Sequence, residues 1–404
     1  MTDLALTDEG RVAMPSAPQL FASGYVVSVA LTYAVGQLAA VGLLACGMGM
    51  LLSRPVASTN FLLRYWFILV LPLYCVASTL WSLHPSASLR HGIQLLVTVI
   101  FAILAARNLS VRQIRFLIVG SFLATTLLSL ASGNINPYTG ALIGVYGSKN
   151  ALAGATAVLL VAAVLLLIDP EESRWRKALA LLALLSSALA VILAKSAGTW
   201  VLVPMVLSVV WMGYVFSTVS PLTRVVQIVI FVLVVAIVVT FVLLNLSDVI
   251  YYVLTLLQKD ITLTGRTVLW SEALKLISER PLLGVGYQAF WVQGYGPAET
   301  IWRDFGIEAR TGFHFHNLYI SNAVEIGVVG VAMQILLLYG GFLASFVLAV
   351  RTRSSGVMLL AALCAMSILH SMIEVPILVQ FEFRSSMTVS ALVYAIEGLR
   401  GRLA

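Results

Sequence analysis

Long apolar runs, separated by short polar connections, make up most of this chain. A helix that crosses a bilayer needs about 20 mostly apolar residues. The predicted spans are 20–34, 36–52, 61–80, 91–107, 113–132, 150–168, 177–194, 198–216, 224–245, 317–350, 357–376 and 385–399. Gly36 either separates two short helices or lies within one long helix, and 317–350 is one long or one broken helix. The pattern predicts an all-α polytopic membrane protein with about 11–12 transmembrane helices.

One polar stretch, residues 246–315, interrupts this pattern late in the chain. Residues 249–257 have the pattern of an amphipathic, interfacial helix, and residues 268–278 predict a second helix that ends before Pro281. Several glycines follow, which indicates irregular backbone. We expect a single membrane domain over residues 1–404, in which 246–315 forms one large loop on one side of the membrane.

Composition supports a membrane domain. Of the 404 residues, 60% are hydrophobic and 10% are charged, whereas soluble domains carry about 25% charged residues. The three cysteines, Cys46, Cys75 and Cys364, lie in apolar runs. We therefore expect buried thiols rather than a metal site or a set of disulfides.

The formal charge of +7 reflects the sidedness of the loops. Lysine and arginine in short loops favour the cytoplasmic side of a membrane. Alternate connections carry these residues: Arg54 and Arg64; Arg107, Arg112 and Arg115; Arg174, Arg176 and Lys177; Arg224; Arg351 and Arg353; Arg400 and Arg402. These loops and the C-terminus are predicted to be cytoplasmic, and the large loop to lie on the outer face. The charge is then a topology signal, and no nucleic-acid partner is expected.

Single cations occupy the short loops on the predicted outer face: Arg90, Lys149, Lys195 and Arg384. Each of them alone is explained by a cation that snorkels from a helix end to the interface. Together with Arg266 of the large loop, they also form a possible cationic ring at one membrane surface. Such a ring would suit an anionic headgroup, because arginine and lysine bind phosphate well.

The pair Gly265-Arg266 precedes the predicted helix of the large loop. Arginine at a helix N-terminus faces an unfavourable dipole, unless an anion bridges its guanidinium and the free backbone N–H groups. Arg266 is therefore a candidate anion ligand. The alternative is an arginine exposed on the surface of the loop.

The pair His316-Asn317 stands at the start of the next apolar run, where the chain is predicted to re-enter the membrane. An imidazole with a pKa near neutrality can accept a proton from an attacking hydroxyl group. His314 competes for this role, and the alternative is a histidine bonded to backbone. Glu325 lies within the next apolar run as a second base or an orienting group. His370 and Glu374 share one helical face, and we favour a structural pair.

Several kinds of site have no signature in this sequence. We find no Walker loop, no dinucleotide-binding glycine turn, no Cys/His metal cluster and no Asp-x-Asp motif. Neither a metal nor a cofactor is therefore expected. The acidic stretch 169–172 has the composition of a solvated loop.

Local signatures along nearly the whole chain resemble the O-antigen ligase and polysaccharide polymerase superfamily, with the succinoglycan-type exopolysaccharide polymerases as the nearest fit. The matching segments are Trp81-Ser82 with Pro85, Ser88 and Arg90; Gly147-Ser148-Lys149-Asn150 with Leu152 and Gly154; Thr264-Gly265-Arg266 with Trp270; Gly284-Val285-Gly286; and His316-Asn317 with Glu325, Gly327 and Gly330. Family ligases carry arginine in a Ser-Arg-Gly-x-Trp segment, where this chain has Ala197. This departure favours a polymerase, with Lys195 as a nearby substitute.

The resemblance implies a GT-C-like glycosyltransferase in the bacterial inner membrane, whose large loop is periplasmic. Its donor would be an undecaprenyl-diphosphate-linked saccharide and its acceptor a glycan, with membrane lipid, a flippase and a chain-length co-polymerase as further partners. Arg266, Arg90, Lys149 and Lys195 would bind the pyrophosphate, and His316 would be the base. His314, Asn317 and Glu325 would support the site. The alternatives are an O-antigen ligase, a peptidoglycan polymerase and a transporter or flippase.

Overall fold

The computed structural model describes residues 14–244 and 265–401. The interfacial helix expected at 249–257 lies outside the described residues. The α-helices of the described part are α1 Ala17–Val35, α2 Gln37–Ser53, α3 Pro55–Arg64, α4 Val70–Ala77, α5 Pro85–Asn108, α6 Val111–Ser132, α7 Lys149–Leu167, α8 Arg174–Leu193, α9 Ala197–Thr218, α10 Pro221–Leu244, α11 Arg266–Glu279, α12 Gly296–Asp304, α13 Leu318–Thr352, α14 Ser355–His370 and α15 Phe383–Leu399.

The all-α, polytopic prediction is confirmed. Among the described residues, seven helices are long and apolar enough to cross a membrane, and an eighth span results if α2 and α3, bent by 101°, are taken together. Trp66–Leu80, Pro221–Phe231 and α14 are shorter apolar helices. The larger number of 11–12 crossings stays a prediction, because it depends on whether these shorter helices also cross.

The first apolar region is two helices rather than one. Gly36 separates α1 from α2 with a φ of 64°, a left-handed conformation that glycine adopts without strain. The two helices pack as an antiparallel hairpin through small residues. A Cβ added to Gly24 would lie 2.6 Å from Sγ of Cys46, and one added to Gly49 would lie 2.5 Å from the ring of Phe21. The glycines therefore permit the close approach of α1 and α2.

A buried charge cluster closes one end of the helical bundle. Glu172, between α7 and α8, is 6% exposed. Its carboxylate lies 3.1 Å from Nε of Arg112 and 2.9 Å from Nη1 of Arg176, and it also pairs with Arg115. Arg115 in turn lies 2.8 Å from Asp169. The expectation of a solvated loop at 169–172 is thus wrong, because these carboxylates connect the start of α6 to the α7–α8 connection.

Polar segments gather at the opposite end. The backbone N–H of Leu142 donates to the carbonyl of Leu193 at 2.9 Å, which joins the α6–α7 connection to the end of α8. The N–H of Leu318 donates to Ser371 at 2.9 Å, which joins the start of α13 to the end of α14. The loops that the charge pattern assigns to two faces are therefore found at two ends of the bundle.

The long helix α13 is broken at Gly327, which has a φ of 63° and a ψ of −177°. The segment 281–286 fills the break with its backbone. The N–H of Gly286 donates to the carbonyl of Glu325 at 2.8 Å, and the N–H of Val328 donates to that of Pro281 at 2.9 Å. Because an added Cβ at Gly327 would lie 2.1 Å from the carbonyl oxygen of Leu282, only glycine fits this crossing.

Glu325 belongs to the same crossing. It is 4% exposed, and its carboxylate accepts a 2.9 Å hydrogen bond from the backbone N–H of Gln288. The side chain therefore anchors the glycine-rich turn of the outer segment to α13. This contact is of the kind expected for an orienting group, one of the two roles predicted for Glu325.

Candidate functional site

The segment 314–317, which leads into α13, is held by aromatic packing. Nε1 of Trp270, on α11, donates to the carbonyl of Phe315 at 2.7 Å. The rings of Phe290 and Trp291 lie 5.1 and 4.9 Å from the ring of Phe315, measured between centroids. Phe315 is fully buried. The histidines on either side of it are thus fixed relative to α11.

His314 and His316 face each other, with ring centroids 4.3 Å apart. His316 has a φ of 52°, a left-handed conformation that is uncommon for a non-glycine residue. This turn brings its backbone N–H to Nδ1 of His314, at 3.0 Å. Because Nδ1 accepts this bond, the proton of the neutral His314 ring is on Nε2. Both ring nitrogens of His314 are then in use, since Nε2 lies 3.1 Å from Glu374.

Glu374 is the acidic partner of both histidines. Its second oxygen lies 3.6 Å from Nδ1 of His316. Burial raises the pKa of the Glu374 carboxyl, but the adjacent side chains of His314 and His316 outweigh this effect and hold the pKa well below its usual range. The site therefore contains a carboxylate that faces two imidazoles.

The predicted pairing of the His370 and Glu374 side chains is wrong. Nδ1 of His370 lies 2.6 Å from a guanidinium nitrogen of Arg384. Glu374 bonds to His370 only through backbone, since its N–H donates to the His370 carbonyl at 2.9 Å. The chain leaves the helix at this point, so the i, i+4 relationship no longer places the two side chains against each other.

His316 keeps one nitrogen for chemistry. Its Nδ1 is buried and faces Glu374 without a formed hydrogen bond. Its Nε2 makes no hydrogen bond with any residue of the described ranges, and the side chain is 28% exposed. A carboxylate near Nδ1 favours the tautomer with the proton on that nitrogen. This tautomer leaves a lone pair on Nε2, which is what a general base requires.

Asn317 connects the histidine segment to the Glu374 segment. Its Oδ1 accepts hydrogen bonds from the N–H groups of Tyr319 and Ile320, at 3.0 and 3.1 Å, and so caps α13. Its Nδ2 donates to the carbonyl of Met372 at 3.3 Å. The role of Asn317 is therefore to fix the register between residues 314–317 and residues 371–374.

Arg266 is the first residue of α11, which begins two residues earlier than the helix predicted at 268–278, and it follows Gly265, whose φ is 81°. It is within electrostatic range of His370, as are Arg384, Glu374 and His314. Among residues 14–244 and 265–401, Arg266 forms no ion pair. It is thus a cation beside the histidine cluster whose charge is available to a ligand.

Lys149 and Lys195 lie close to each other at the starts of α7 and α9. The adjacent residues connect them, because the hydroxyl of Ser196 donates to Oδ1 of Asn150 at 3.3 Å. Lys195 has a φ of 48°, and its Nζ lies 3.5 Å from the carbonyl of Thr139. A Cβ added to Gly198 would lie 3.2 Å from Ile373. The start of α9 therefore contacts the residue next to Glu374.

Arg90 lies in a different environment from the other cations. It lines a cavity of about 380 Å³ with His91, Gln94 and Gln380. A guanidinium nitrogen of Arg90 lies 3.0 Å from Nε2 of His91. Arg266 and the start of α9 thus lie near the segment 371–374, whereas Arg90 lies at the opposite end of the α14–α15 connection, beside Gln380.

The histidine cluster could also be considered as a metal site, because ligand atoms of His314, His316 and Glu374 lie within 4.8 Å of one another. The hydrogen bond to Nδ1 of His314 argues against this role. It leaves the proton on Nε2, the nitrogen that faces Glu374, so that nitrogen has no lone pair for a metal. Two remaining ligands do not make a zinc site.

Sequence reasoning did not assign Glu374 to the site. Arg384 was included in the cationic ring of the outer face, but no contact with His370 was predicted for it. Their signal was their position on either side of the α14–α15 connection, near the predicted outer face. Contacts between distant parts of the chain bring them to His316 and His370.

Two comparisons identify relatives. The family model described as O-antigen ligase matches residues 181–335, a range that includes Lys195, Arg266, His316 and Glu325. The exopolysaccharide production protein ExoQ of Rhizobium meliloti (strain 1021) is 30% identical over 330 residues, which cover 80% of this chain and 74% of that protein. These matches support a glycosyltransferase-like polymerase or ligase. The chain belongs to the O-antigen ligase and polysaccharide polymerase superfamily.

Proposed function

We propose that this protein polymerises undecaprenyl-diphosphate-linked oligosaccharide repeat units into exopolysaccharide at the periplasmic face of the bacterial inner membrane. The observation that carries the proposal is the juxtaposition of His316, with an unoccupied Nε2, and Arg266, which forms no ion pair within the described ranges. One group can remove a proton, and the other can hold a negatively charged leaving group. The transfer of a glycosyl group from a diphosphate needs both.

In the proposed reaction, a hydroxyl oxygen of the acceptor glycan attacks the anomeric carbon of the donor sugar. The bond between that carbon and the diphosphate oxygen breaks, and the electron pair leaves with undecaprenyl diphosphate. Nε2 of His316 takes the proton of the hydroxyl group. Attack opposite the leaving group inverts the configuration of the anomeric carbon.

Arg266, Lys149 and Lys195 bind the diphosphate in this proposal and stabilise the charge that develops on it. Preorganised donors of this kind contribute about 10²–10³ in rate each. Because the leaving group is activated by fixed cations, and because the tautomer of His314 does not favour a metal, the proposed transfer is metal-independent. Arg384, bonded to His370, adds a further fixed charge nearby.

Glu374 and His314 are positioning residues in this account. Glu374 lies beside Nδ1 of His316 and selects the tautomer in which Nε2 is free. His314 accepts the backbone N–H of His316 and holds the left-handed turn. Neither side chain needs to touch the substrate.

The sidedness of the proposal comes from charge. The end that contains Arg112, Arg115 and Arg176 is rich in arginine and is assigned to the cytoplasm by the positive-inside rule. The histidine cluster is at the other end. A periplasmic site would require that a flippase first moves the lipid-linked donor across the membrane, and a chain-length co-polymerase would act on the same product.

An O-antigen ligase is the second candidate, because the matching family model carries that description. The relative ExoQ favours polymerisation, because its name refers to exopolysaccharide production. Ala197, at the position where family ligases have arginine, points the same way. The two activities share the donor and the chemistry, and they differ in the acceptor.

A chromosomal replacement tests the proposal. His316→Ala and Arg266→Ala should each abolish high-molecular-weight polysaccharide, while the protein is still inserted in the membrane at normal abundance. Arg280→Ala is the matched control for Arg266, since Arg280 is an exposed arginine at the other end of α11. Polymer of normal amount and length from either His316→Ala or Arg266→Ala would contradict the proposal.

A further inference from the structure

An open cavity of about 380 Å³ lies at the Gln380 end of the α14–α15 connection. It is bordered by the tip of the α1–α2 hairpin, the first turns of α5 and the residues before α15. Its lining includes Thr32, Gln37, Arg90, Gln94, Gln380 and Phe381. Its volume falls in the range of small-molecule sites, about 300–1,000 Å³. No step of the proposed transfer uses this cavity.

The hydrogen-bonding groups of the cavity are mostly neutral. Gln37, Gln94 and Gln380 offer amides, and Thr32 offers a hydroxyl group. Amides and hydroxyls both donate and accept, which suits the hydroxyl groups of a sugar. A diphosphate would instead require several cations, because charge-assisted donors hold such a ligand.

The single arginine of the cavity already has a partner. Its guanidinium lies 3.0 Å from Nε2 of His91, and Nδ1 of His91 lies 2.9 Å from the side-chain amide of Gln380. Arginine only donates, so Nε2 accepts and the proton of His91 is on Nδ1. Nδ1–H then needs an acceptor, which is Oε1 of Gln380 once the amide is turned over.

The orientation of the Gln380 amide also decides which of its polar atoms lacks a partner. With the amide as it stands, Oε1 of Gln380 is buried and has no hydrogen-bond partner among the described residues. Turning the amide gives Oε1 the proton of His91 and leaves the NH₂ group without a partner. In both orientations one polar atom of Gln380 lacks a partner among the described residues.

The wall of the cavity is rigidly built. Phe381 has a φ of 58°, a strained conformation for a non-glycine residue. Its backbone N–H donates to the hydroxyl of Thr98 at 3.0 Å, which ties it to α5. Phe381 belongs to a lining that is apolar as well as polar. A sugar has both kinds of surface, since its ring carries C–H groups as well as hydroxyls.

The cavity and the histidine cluster are joined by one segment of chain. Residues 371–382 connect α14 to α15 and contain both Glu374 and Gln380. Tyr33, which adjoins the cavity residue Thr32, is within electrostatic range of Glu382 and Arg384. Arg384 bonds to His370, whose surroundings include Arg266 and Glu374. The connection that carries Glu374 therefore also contributes a wall of the cavity, through Gln380 and Phe381.

We infer that this cavity is a saccharide subsite, which binds a sugar residue of the glycan through Gln37, Gln94, Gln380 and Arg90. The inference rests on the proposed function. It assigns Arg90 to sugar recognition, whereas the sequence alone led us to expect a diphosphate ligand at this position.

Binding measurements with two separate probes test the inference. The first probe is the free oligosaccharide repeat unit, released from the purified polymer and carrying neither lipid nor phosphate. The second is inorganic pyrophosphate. Both are titrated by calorimetry against the full-length protein in nanodiscs. Gln380→Ala and Arg90→Ala are compared with Gln293→Ala and Arg174→Ala, exposed residues of the same types outside the cavity.

The oligosaccharide should bind about 5- to 30-fold more weakly to Gln380→Ala and Arg90→Ala, the loss expected from one or two hydrogen bonds. Its binding to Arg266→Ala and to both controls should be unchanged, and pyrophosphate should bind equally to Gln380→Ala and the parent. Oligosaccharide binding that is unaffected in Gln380→Ala and Arg90→Ala would overturn the inference. Weaker pyrophosphate binding by Arg90→Ala would contradict the assignment of Arg90 to the sugar and would indicate that it binds the diphosphate.

Failure of the proposed function gives a different result. If the protein does not use a lipid diphosphate donor, Arg266→Ala keeps full polymer synthesis in cells. Oligosaccharide binding and its loss in Gln380→Ala are measured without a donor, so they do not depend on that outcome. Thermal unfolding midpoints of Gln380→Ala and Arg90→Ala that equal the midpoint of the parent establish that the variants are folded.

Discussion

The backbone N–H of His316 donates a 3.0 Å hydrogen bond to Nδ1 of His314. This one contact separates the roles of two histidines that are only two residues apart. His314 is committed on both nitrogens, to the backbone and to Glu374, whereas His316 retains a free Nε2. We propose His316 rather than His314 as the base because of this difference in hydrogen bonding.

The first prediction concerns this division of roles. His316→Ala should lower the rate of transfer by about 10²–10⁴, the contribution typical of a general base. His314→Ala should lower it less, because the turn at His316 is loosened but the base remains. Rates are measured with purified protein and lipid-linked repeat units. Equal losses in the two variants would be inconsistent with separate roles.

The second prediction concerns Glu374 and pH. Its pKa in the folded protein is held well below its usual range, and the unfolded value is about 4.3. A depressed folded pKa contributes stability above the unfolded pKa, and this contribution is lost as the pH falls through the folded value. Glu374→Gln should therefore unfold at a lower temperature than the parent at pH 7.

The difference in unfolding temperature between Glu374→Gln and the parent should narrow when the pH is lowered from 5 towards the folded pKa of Glu374. Thermal unfolding in detergent at several pH values measures it. Glu308→Gln is the control, because Glu308 is an exposed glutamate of the same outer region. A constant difference over the whole pH range would show that the carboxylate charge is not responsible.

The third prediction concerns the leaving group. Arg266→Ala should lower the rate by about 10²–10³, as expected for the loss of one preorganised charge donor. Arg266→Lys should recover part of this loss, since lysine keeps the charge but not the planar fork. Arg280→Ala, at the residue that follows the last turn of the same helix, should react at the parent rate. Equal rates for Arg266→Ala and Arg280→Ala would remove Arg266 from the site.

The fourth prediction concerns the broken helix α13. Gly327→Ala should destabilise the protein by roughly 2 kcal/mol or more, because the left-handed φ becomes strained and the added Cβ meets the carbonyl of Leu282. Gly340→Ala in the same helix is the control, since no heavy atom lies within 4 Å of its added Cβ. Unfolding midpoints and folded yield are the measurements. A stable Gly327→Ala would contradict the steric argument.

The fifth prediction concerns the opposite end of the bundle. Glu172→Gln should cost about 3–5 kcal/mol, because it leaves the buried guanidinium of Arg115 without one of its partners. Glu171→Gln, at the exposed neighbouring position, should be close to neutral. The free energy of unfolding is the measurement. Equal stability of the two variants would mean that the buried pair contributes little.

Much of the fold could be predicted because it is local. Span 113–132 corresponds to α6, Val111–Ser132, and 177–194 corresponds to α8, Arg174–Leu193, since apolar length alone defines such helices. The break at Gly327 is different. It depends on the backbone of residues 281–286, which are distant in sequence. A glycine in an apolar run permits a break but does not predict one.

The site could be predicted only in part for the same reason. Arg266 and His316 carry local signatures, a helix start and a membrane re-entry, and both are found at such positions. Glu374 was expected to pair with His370 because helical spacing was the only relation visible. Its actual partners are His314 and His316, which another part of the chain brings to it.

Synthesis from a single purified component tests the central claim most directly. The protein is placed in liposomes with undecaprenyl-diphosphate-linked repeat units as the sole saccharide and with a chelator present. The account predicts that a ladder of lengthening glycans forms with release of undecaprenyl diphosphate, and that His316→Ala forms none. Product that appears only after lipid A–core is added, or a ladder made by His316→Ala, would contradict it.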